Sequence, residues 1–297
     1  MLTLPHPVTN DLRLADWLEL MAVLSADKNS STGDLERILK RSALFEAADS
    51  ETIERKCLAV FTELEGRAIA AADGYPFSLA PSGVLQMRAD LNSFPTYMLC
   101  LCLSFWKWRQ PKGGKIFPRR LFENISRVAA INYLGGEGVR FASPRTSLSK
   151  SFAEAVDELC ASLGEGEGFY KQKTGAAKDD TLDVVAWKAF PDGRFGKLIL
   201  FGQCASGAEQ DSKRAELQPA EFCDQWFMRA PTVCMVKAFF IPHRLARDEW
   251  EKTTRKAGIV FDRCRLARWA HGQEDEADKP GCFEWCSARL RVAQAEA

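Results

Sequence analysis

The segment LDVVAWKAFPDGRFGKLILFGQCA, residues 182–205, places two apolar runs on either side of a turn. The runs Leu182 to Trp187 and Lys197 to Ala205 have the length and apolar content of buried strands. Between them, Asp192 and Gly193 form a dipeptide that is typical of hairpin turns. The segment therefore predicts two neighbouring antiparallel strands.

Polar residues stand at matching positions of these two strands. Counting outward from the turn places Asp183 opposite Gly202 or Gln203, because residues equidistant from a turn face each other in an antiparallel ladder. Residues two apart in a strand share a face, so Gln203 and Ala205 point to the same side. A buried carboxylate is costly without a partner or a metal. We therefore predict a functional site at Asp183 and Gln203, with an ordinary hydrogen-bonding role for Gln203 as the alternative.

Helical and strand-like patterns alternate through the second part of the chain. This alternation predicts an α/β sheet layered with helices, in a domain that covers residues 116–297. The expected elements beside the hairpin are a helix that starts at Pro118, helices over 151–163, 212–228 and 245–256, strands over 233–241 and 258–266, and a short last helix over 284–293.

Residues 1–115 have mainly helical patterns and are expected to form a separate region that binds a partner or DNA. Apolar residues recur at helical spacing over 11–25, 31–39 and 49–64. Turn-forming residues over 75–88 predict extended segments, and the apolar residues 97–108 predict a buried helix.

A basic cluster lies at the predicted boundary between the two regions. In WKWRQPKGGKIFPRR, residues 106–120, aromatic and basic residues surround a Pro- and Gly-containing loop. Residues interleaved in this way can stack on bases and bind phosphates. A solvated linker beside buried tryptophans is the alternative. The predicted nucleic-acid-binding residues are Lys107, Arg109, Lys112, Lys115, Arg119 and Arg120.

The amino-acid composition limits the kinds of function and the cellular location that we expect for the chain. Lys plus Arg and Asp plus Glu both total 40, so a polyanion site must be a local patch. The ten cysteines lie mostly in apolar stretches without a disulfide framework, which indicates a reducing, cytoplasmic location. The N-terminus has no signal-peptide pattern, and the most apolar run is too short to span a bilayer, so no membrane association is expected. The motifs of P-loop ATPases and serine hydrolases are missing from the sequence.

The strands resemble the PD-(D/E)XK nuclease superfamily, the restriction-endonuclease-like fold that includes Mrr-type enzymes. The resemblance rests on KDDTLDVVAWKAF (178–190), GKLILFGQCASG (196–207) and AGIVFDRCRL (257–266). Sites of this family place an Asp on one strand and an acid-x-Lys motif on the next. The resemblance implies that Asp183 is the metal-binding carboxylate and that Gln203 takes the acid position. Ala205 then stands where the family has its lysine.

The implied chemistry needs Mg²⁺ or Mn²⁺, because a hard cation polarises phosphate oxygens and activates water. Lys213 is the nearest substitute for the lysine, which would neutralise charge that develops on the phosphate. Family members often take a further acid from a helix before the first strand. Glu158 is the preferred candidate for this acid and metal ligand, Glu123 on an earlier helix is a rival, and Asp180 is another approach point for the metal.

Two functions follow from this resemblance. The first is a metal-dependent DNA endonuclease, an effector of a bacterial restriction or anti-phage system that works on DNA together with another protein subunit. The second is a catalytically degenerate nuclease-fold protein, eroded at Ala205, that binds DNA or serves as an assembly subunit of a defence complex. Only the first predicts cleavage, and a homo-oligomer stays open for both.

Overall fold

The computed structural model describes Pro5 and residues 10–42, 50–106, 116–170, 180–207 and 210–295. In chain order the helices are α1 (Asp11–Leu24), α2 (Thr32–Lys40), α3 (Ser50–Ala71), α4 (Pro95–Trp106), α5 (Pro118–Leu134), α6 (Phe152–Leu163), α7 (Gln210–Lys213), α8 (Pro219–Trp226), α9 (Arg247–Ala257), α10 (Arg263–Ala270) and α11 (Lys279–Ala295). The strands are β1 (Asn29–Ser31), β2 (Phe77–Ala80), β3 (Val84–Met87), β4 (Glu137–Arg140), β5 (Val184–Lys188), β6 (Leu198–Cys204), β7 (Val236–Phe240) and β8 (Ile259–Phe261).

The described residues divide into two compact units. Unit 1 takes its residues from 1–118, 263–272 and 276–297, and unit 2 from 119–262 and 273–275. The first break lies close to the predicted boundary at 115. The predicted domain 116–297 is nevertheless not one unit, because α10 and α11 pack in unit 1. A buried ion pair between Arg263 and Asp16 is one physical reason for this arrangement.

Unit 1 contains the predicted helices and a small antiparallel sheet. The sheet has the order β1-β3-β2 and includes the region 75–88 that was predicted to be extended. Strand β1 was not predicted. Ser31 and Asp34 form a capping box at the start of α2, in which each side chain satisfies a backbone N–H of the other residue. None of the described helices is long and apolar enough to cross a membrane.

Unit 2 is built on a five-stranded mixed sheet in the order β4-β5-β6-β7-β8. β4, β5 and β6 pair antiparallel, whereas β6, β7 and β8 pair parallel. The predicted α/β class and the antiparallel pairing of β5 with β6 are therefore confirmed. Val184 pairs with Gly202, so the register continued by one residue sets Asp183 opposite Gln203.

One face of this sheet packs against α6 and α8. Alternate residues of β5 and β6 supply the face, because side chains in a strand point to opposite sides in turn. Each fully buried large apolar side chain contributes about 1.5–3 kcal/mol to folding. This core holds the β5 and β6 pair in place beside the candidate site. Its strand residues are Val185, Trp187, Ile199 and Phe201, and the helices contribute Val156, Leu159, Leu163, Phe222 and Trp226.

Two predicted elements in unit 2 differ from the structure. The strand predicted over 258–266 ends at Phe261, and the chain turns into α10 because the side chain of Arg263 is drawn into the ion network of unit 1. The helix predicted over 212–228 is shorter, since α8 starts only at Pro219, a residue suited to the first turn of a helix. In unit 1, the last helix is longer in the structure than predicted, because α11 covers Lys279–Ala295 and not only 284–293.

Gly258 lies in the turn between α9 and β8, where the backbone packs closely against Lys237 of β7. Its φ is +78°, and a Cβ there would lie 2.1 Å from the Lys237 carbonyl oxygen. We expect Gly258→Ala to lower the free energy of unfolding by about 1–3 kcal/mol. Chemical unfolding measures this change. Gly207→Ala, where a Cβ meets open space, is the matched control, and equal midpoints for the two variants would contradict the expectation.

Candidate functional site

Asp183 lies directly before β5 and is only 3% exposed. Its backbone N–H donates to the Gly202 carbonyl at 3.0 Å, and its own carbonyl accepts from the N–H groups of Phe141 and Ala142. The Oδ2 atom of its carboxylate accepts a 2.7 Å hydrogen bond from the Cys204 N–H. Neighbouring strands therefore fix both the backbone and the carboxylate of Asp183.

The turn that leads into Asp183 has an unusual backbone. Asp180 and Thr181 have φ values of 45° and 67°, a region that residues other than glycine rarely adopt. The Asp180 carboxylate is bound by the indole N–H of Trp226 at 2.6 Å. Backbone strain of this kind clusters at functional sites. Asp180 itself, which was a candidate approach point for a metal, is held by α8.

Glu123 on α5 is the acid that the structure connects to Asp183. Its Oε1 accepts from Arg119 Nε at 2.7 Å, and its Oε2 accepts from Arg140 Nη1 at 2.8 Å. The Nη2 atom of Arg119 also lies 3.7 Å from Asp183 Oδ1. The Arg119 guanidinium therefore lies between two buried carboxylates.

Burial sets the ionisation of the groups around Asp183. It raises the pKa of Glu123 above the ordinary value, although Arg119 and Arg140 act in the opposite direction. Burial, aided by the carboxylates of Asp183 and Glu123, also raises the pKa of the Cys204 thiol, which stays protonated. The cost of burying the Glu123 carboxylate is thus only partly offset by the two arginines.

Gln203 combines a bonded amide nitrogen with an unbonded amide oxygen. The side chain is 3% exposed, and Nε2 donates to Glu216 Oε2 at 2.9 Å. Within the described part of the chain, its buried Oε1 has no hydrogen-bond partner. Leaving such an acceptor unsatisfied costs about 1–3 kcal/mol. Amide oxygens are also ligands that hard cations take, so this atom suits a cation site.

Glu158 and Lys213 are the remaining predicted site residues, and their environments differ from that of Asp183. Glu158 is exposed, and hydrogen bonds from the hydroxyl and the N–H of Ser149 lower the pKa of its carboxyl. Glu123, and not Glu158, shares the Arg119 guanidinium with Asp183. Lys213 ends α7 and is half-buried. Glu216, three residues after Lys213, is the residue of this part of the chain that contacts Gln203.

The structure describes two of the six predicted DNA-binding residues. Lys107, Arg109, Lys112 and Lys115 lie outside the described residues. Arg119 and Arg120 begin α5 and are exposed. Arg119 combines this exposure with its ion pair to Glu123, and of the two described residues of the cluster it is the one that lies near Asp183.

The oxygen donors around Asp183 match the ligand chemistry of Mg²⁺ and Mn²⁺. Carboxylates and amide oxygens are the hard ligands that these ions prefer, and the residue Gln203 stands opposite Asp183 in the register of β5 and β6. The described ranges contain no group of three or more His, Cys, Asp or Glu residues arranged to hold a metal. A cation beside Asp183 would lie against the carboxylates of Asp183 and Glu123 and would require the Arg119 side chain to leave, whereas the side chain of Gln203 is bound to Glu216.

A cavity of about 390 Å³ lies elsewhere in unit 2, against the glycine-rich loop 164–168. Glu165 in this loop accepts hydrogen bonds from the N–H groups of Gly196 and Thr232 at 3.0 and 2.9 Å. Glu167 forms an ion pair with Arg229 at 3.1 Å. Two carboxylates in the loop disfavour a phosphate ligand, because like charges repel. The loop therefore has a structural role, in which Glu165 holds the backbone at Gly196 and Thr232.

Sequence patterns missed several contacts of the site. Arg119 and Glu123 stand four apart on a helix, a spacing that favours an ion pair and was available as a signal. The contacts of Arg140 and Glu216 depend on tertiary packing and have no local signal. The Cys204 N–H could be anticipated only after the strand register was fixed.

No family, curated protein or solved structure matches this chain.

Proposed function

We propose that unit 2 is a metal-dependent nuclease domain that hydrolyses DNA phosphodiester bonds with Mg²⁺ or Mn²⁺. The observation that carries this proposal is a pair of buried polar residues at opposite positions of β5 and β6, Asp183 and Gln203, of which Gln203 has a buried amide oxygen without a hydrogen-bond partner among the described residues. Buried polar groups with such environments are typical of functional sites. The proposed setting is a bacterial restriction or anti-phage system in the cytoplasm, with DNA and another protein subunit as partners.

The order of strands supports a restriction-endonuclease-like fold for unit 2. An antiparallel β5 and β6 pair carries the two residues, and β7 and β8 follow in parallel through the crossover helices α8 and α9. Parallel strands that are joined through helices in this way build α/β sheets. The free cysteines of the described residues are buried except Cys234, which supports a reducing compartment.

In the proposed mechanism each residue has a defined task. Asp183, Gln203 and Glu123 would hold the cation, which polarises a phosphate oxygen and lowers the pKa of attacking water when bound. The Cys204 N–H keeps the Asp183 carboxylate oriented. Arg140 remains with Glu123 and offsets its charge. Lys213 supplies positive charge that Ala205 cannot.

The proposal is tested by incubating plasmid and linear DNA with the whole protein. We expect nicked and linear products with Mg²⁺ or Mn²⁺ and intact DNA with EDTA. Ca²⁺ serves as a control, since it separates DNA binding from cleavage. Intact DNA with both metals, at protein concentrations that bind DNA, would reject the nuclease function.

Lys213→Ala tests the displaced-lysine hypothesis. Loss of one group that stabilises developing negative charge costs about 10²-fold or more in rate. We expect a decrease of that size in the initial rate of plasmid cleavage. Lys252→Ala, on the exposed side of α9, is the control and should cleave as the wild type does. Unchanged cleavage by Lys213→Ala would assign the charge to another residue.

The degenerate alternative is favoured by a specific contact. Arg119 already neutralises Glu123 and lies near Asp183, and Ala205 leaves the lysine position without a charge. A DNA-binding or assembly subunit built this way binds DNA without cleaving it. Equal DNA affinity with EDTA and with Ca²⁺, together with no cleavage, would identify this function.

A further inference from the structure

The cavity of about 390 Å³ against the loop 164–168 contains a buried acid in its wall. Glu165 lines this cavity and is 6% exposed. Its two carboxylate oxygens accept from the backbone N–H groups of Gly196 and Thr232, and within the described part of the chain no lysine or arginine forms an ion pair with it. Buried acidic side chains are rare without a cationic partner. A cation in the cavity would supply that partner.

The cationic side chains of this region have other partners. The ammonium group of Lys197 donates to the carbonyl oxygen of Leu163. Arg229, on the cavity wall, forms its ion pair with Glu167. Asp157 also lines the cavity, so its wall carries three carboxylates and one guanidinium. The C-terminal end of α6, which lies beside the cavity, adds partial negative charge. The cavity therefore favours a positively charged ligand.

The other side chains of the wall suit an apolar group. Its volume lies in the range of small-molecule sites. Phe195 is 62% exposed at this wall, and the face of an aromatic ring also attracts a cation. A ligand that joins a positive charge to an aliphatic chain matches both kinds of wall. The apolar side chains are those of Cys160, Ala161, Phe195 and Ala230.

From these features we propose that the cavity binds an alkylammonium group, with the charged nitrogen against Glu165 and the aliphatic chain against Phe195 and α6. An ionised carboxylate has about four acceptor positions, and the backbone uses two of them on Glu165. A free amine and a lysine side chain of another protein both carry this group. The proposal is independent of the nuclease function, because Asp183 does not line the cavity.

The test titrates hexylamine into the whole protein at about pH 7, where an alkylamine is protonated, and measures binding by isothermal titration calorimetry. Hexanol has the same chain without the charge. We expect hexanol to bind about tenfold more weakly or less, because it cannot form a charge-assisted hydrogen bond with a carboxylate. Equal affinities for the two compounds, or no binding of hexylamine, would overturn the proposal.

Ala161→Trp tests the position of the site. Ala161 is an exposed residue of α6 that lines the cavity, so a large ring there fills part of the volume while the core stays intact. We expect the affinity for hexylamine to fall about tenfold or more, because the aliphatic chain loses its apolar contacts. Ser162→Trp, at the next exposed position of α6, is the control and should bind as the wild type does. Unchanged affinity of Ala161→Trp would place the amine elsewhere and reject the site.

Glu165→Gln tests the charge, and circular dichroism checks its fold. We expect hexylamine to bind about tenfold more weakly and hexanol to bind as before, because the variant loses only the charge. Glu154→Gln on the exposed side of α6 is the control. Unchanged hexylamine affinity of Glu165→Gln would contradict the assigned contact. A short peptide with one central lysine distinguishes the two sources: tighter binding than hexylamine assigns a protein side chain, and weaker binding assigns a free amine.

Discussion

Asp183→Asn is expected to reduce metal-dependent DNA cleavage by about 10³-fold while the protein stays folded. The substitution keeps an oxygen that can accept from the Cys204 N–H, but it removes the negative charge that attracts the cation. Metal-ion catalysis supplies several kcal/mol of transition-state stabilisation, and about 4 kcal/mol corresponds to this loss of rate. Initial rates of plasmid nicking with Mg²⁺ measure the effect.

Asp192→Asn is the matched control for this substitution. Asp192 lies on the turn of the same hairpin, with a side chain that is 58% exposed, and the same change of one oxygen to an amide should leave cleavage unchanged. Thermal unfolding followed by circular dichroism checks the fold of both variants. Cleavage by Asp183→Asn at the rate of the wild type would exclude Asp183 as a metal ligand.

Arg263→Met is expected to destabilise unit 1 by about 3–5 kcal/mol, the usual cost of breaking a buried ion pair. Arg263 is fully buried and lies 2.5 Å from Asp16 and 3.6 Å from Glu19. Arg67 contacts the same two acids at 2.7 and 3.0 Å. Without Arg263, one guanidinium remains for two buried carboxylates. Chemical unfolding measures the loss, and Arg268→Ala on the exposed side of α10 is the control.

The same network predicts a pH dependence. Burial opposes ionisation of Asp16, but Arg263 and Arg67 outweigh it and lower the pKa of the carboxyl below 3.8. A lowered pKa in the folded state contributes stability above pH 3.8, which is lost as the pH falls below that value. Arg263→Met should therefore start to unfold at a higher pH than the wild type during acid titration. Identical acid transitions would contradict the role assigned to Asp16.

The β5 and β6 hairpin could be predicted from sequence because its determinants are local. Asp192 and Gly193 fix the turn, and the two apolar runs fix the strands. Counting from the turn therefore places Asp183 opposite Gly202 or Gln203, and the observed register selects Gln203. Counting could not predict which acid of the preceding helices lies near Asp183. Glu158 lies at the edge of an apolar stripe, yet Ser149 binds it, and the choice of Glu123 depends on how α5 packs.

The end of the α/β domain was also beyond local patterns. Residues 258–266 contain apolar residues at strand-like positions, and only the contact of Arg263 with Asp16, 247 positions earlier, shows where the strand stops. Ion pairs between such distant residues leave no periodic signal. The boundary predicted near 115 rests on a local pattern, the basic loop with Pro and Gly, and the first division between the units lies at 118, whereas the return of α10 and α11 to unit 1 has no local pattern.

The return of α10 and α11 to unit 1 affects the order of events on the ribosome. Domains generally fold as they emerge, with the N-terminal one first. Here Asp16 and Glu19 can pair with Arg263 only after the strands of unit 2, which lie between them in the sequence, have left the exit tunnel. We therefore expect the sheet of unit 2 to form on the nascent chain before the core of unit 1 is complete.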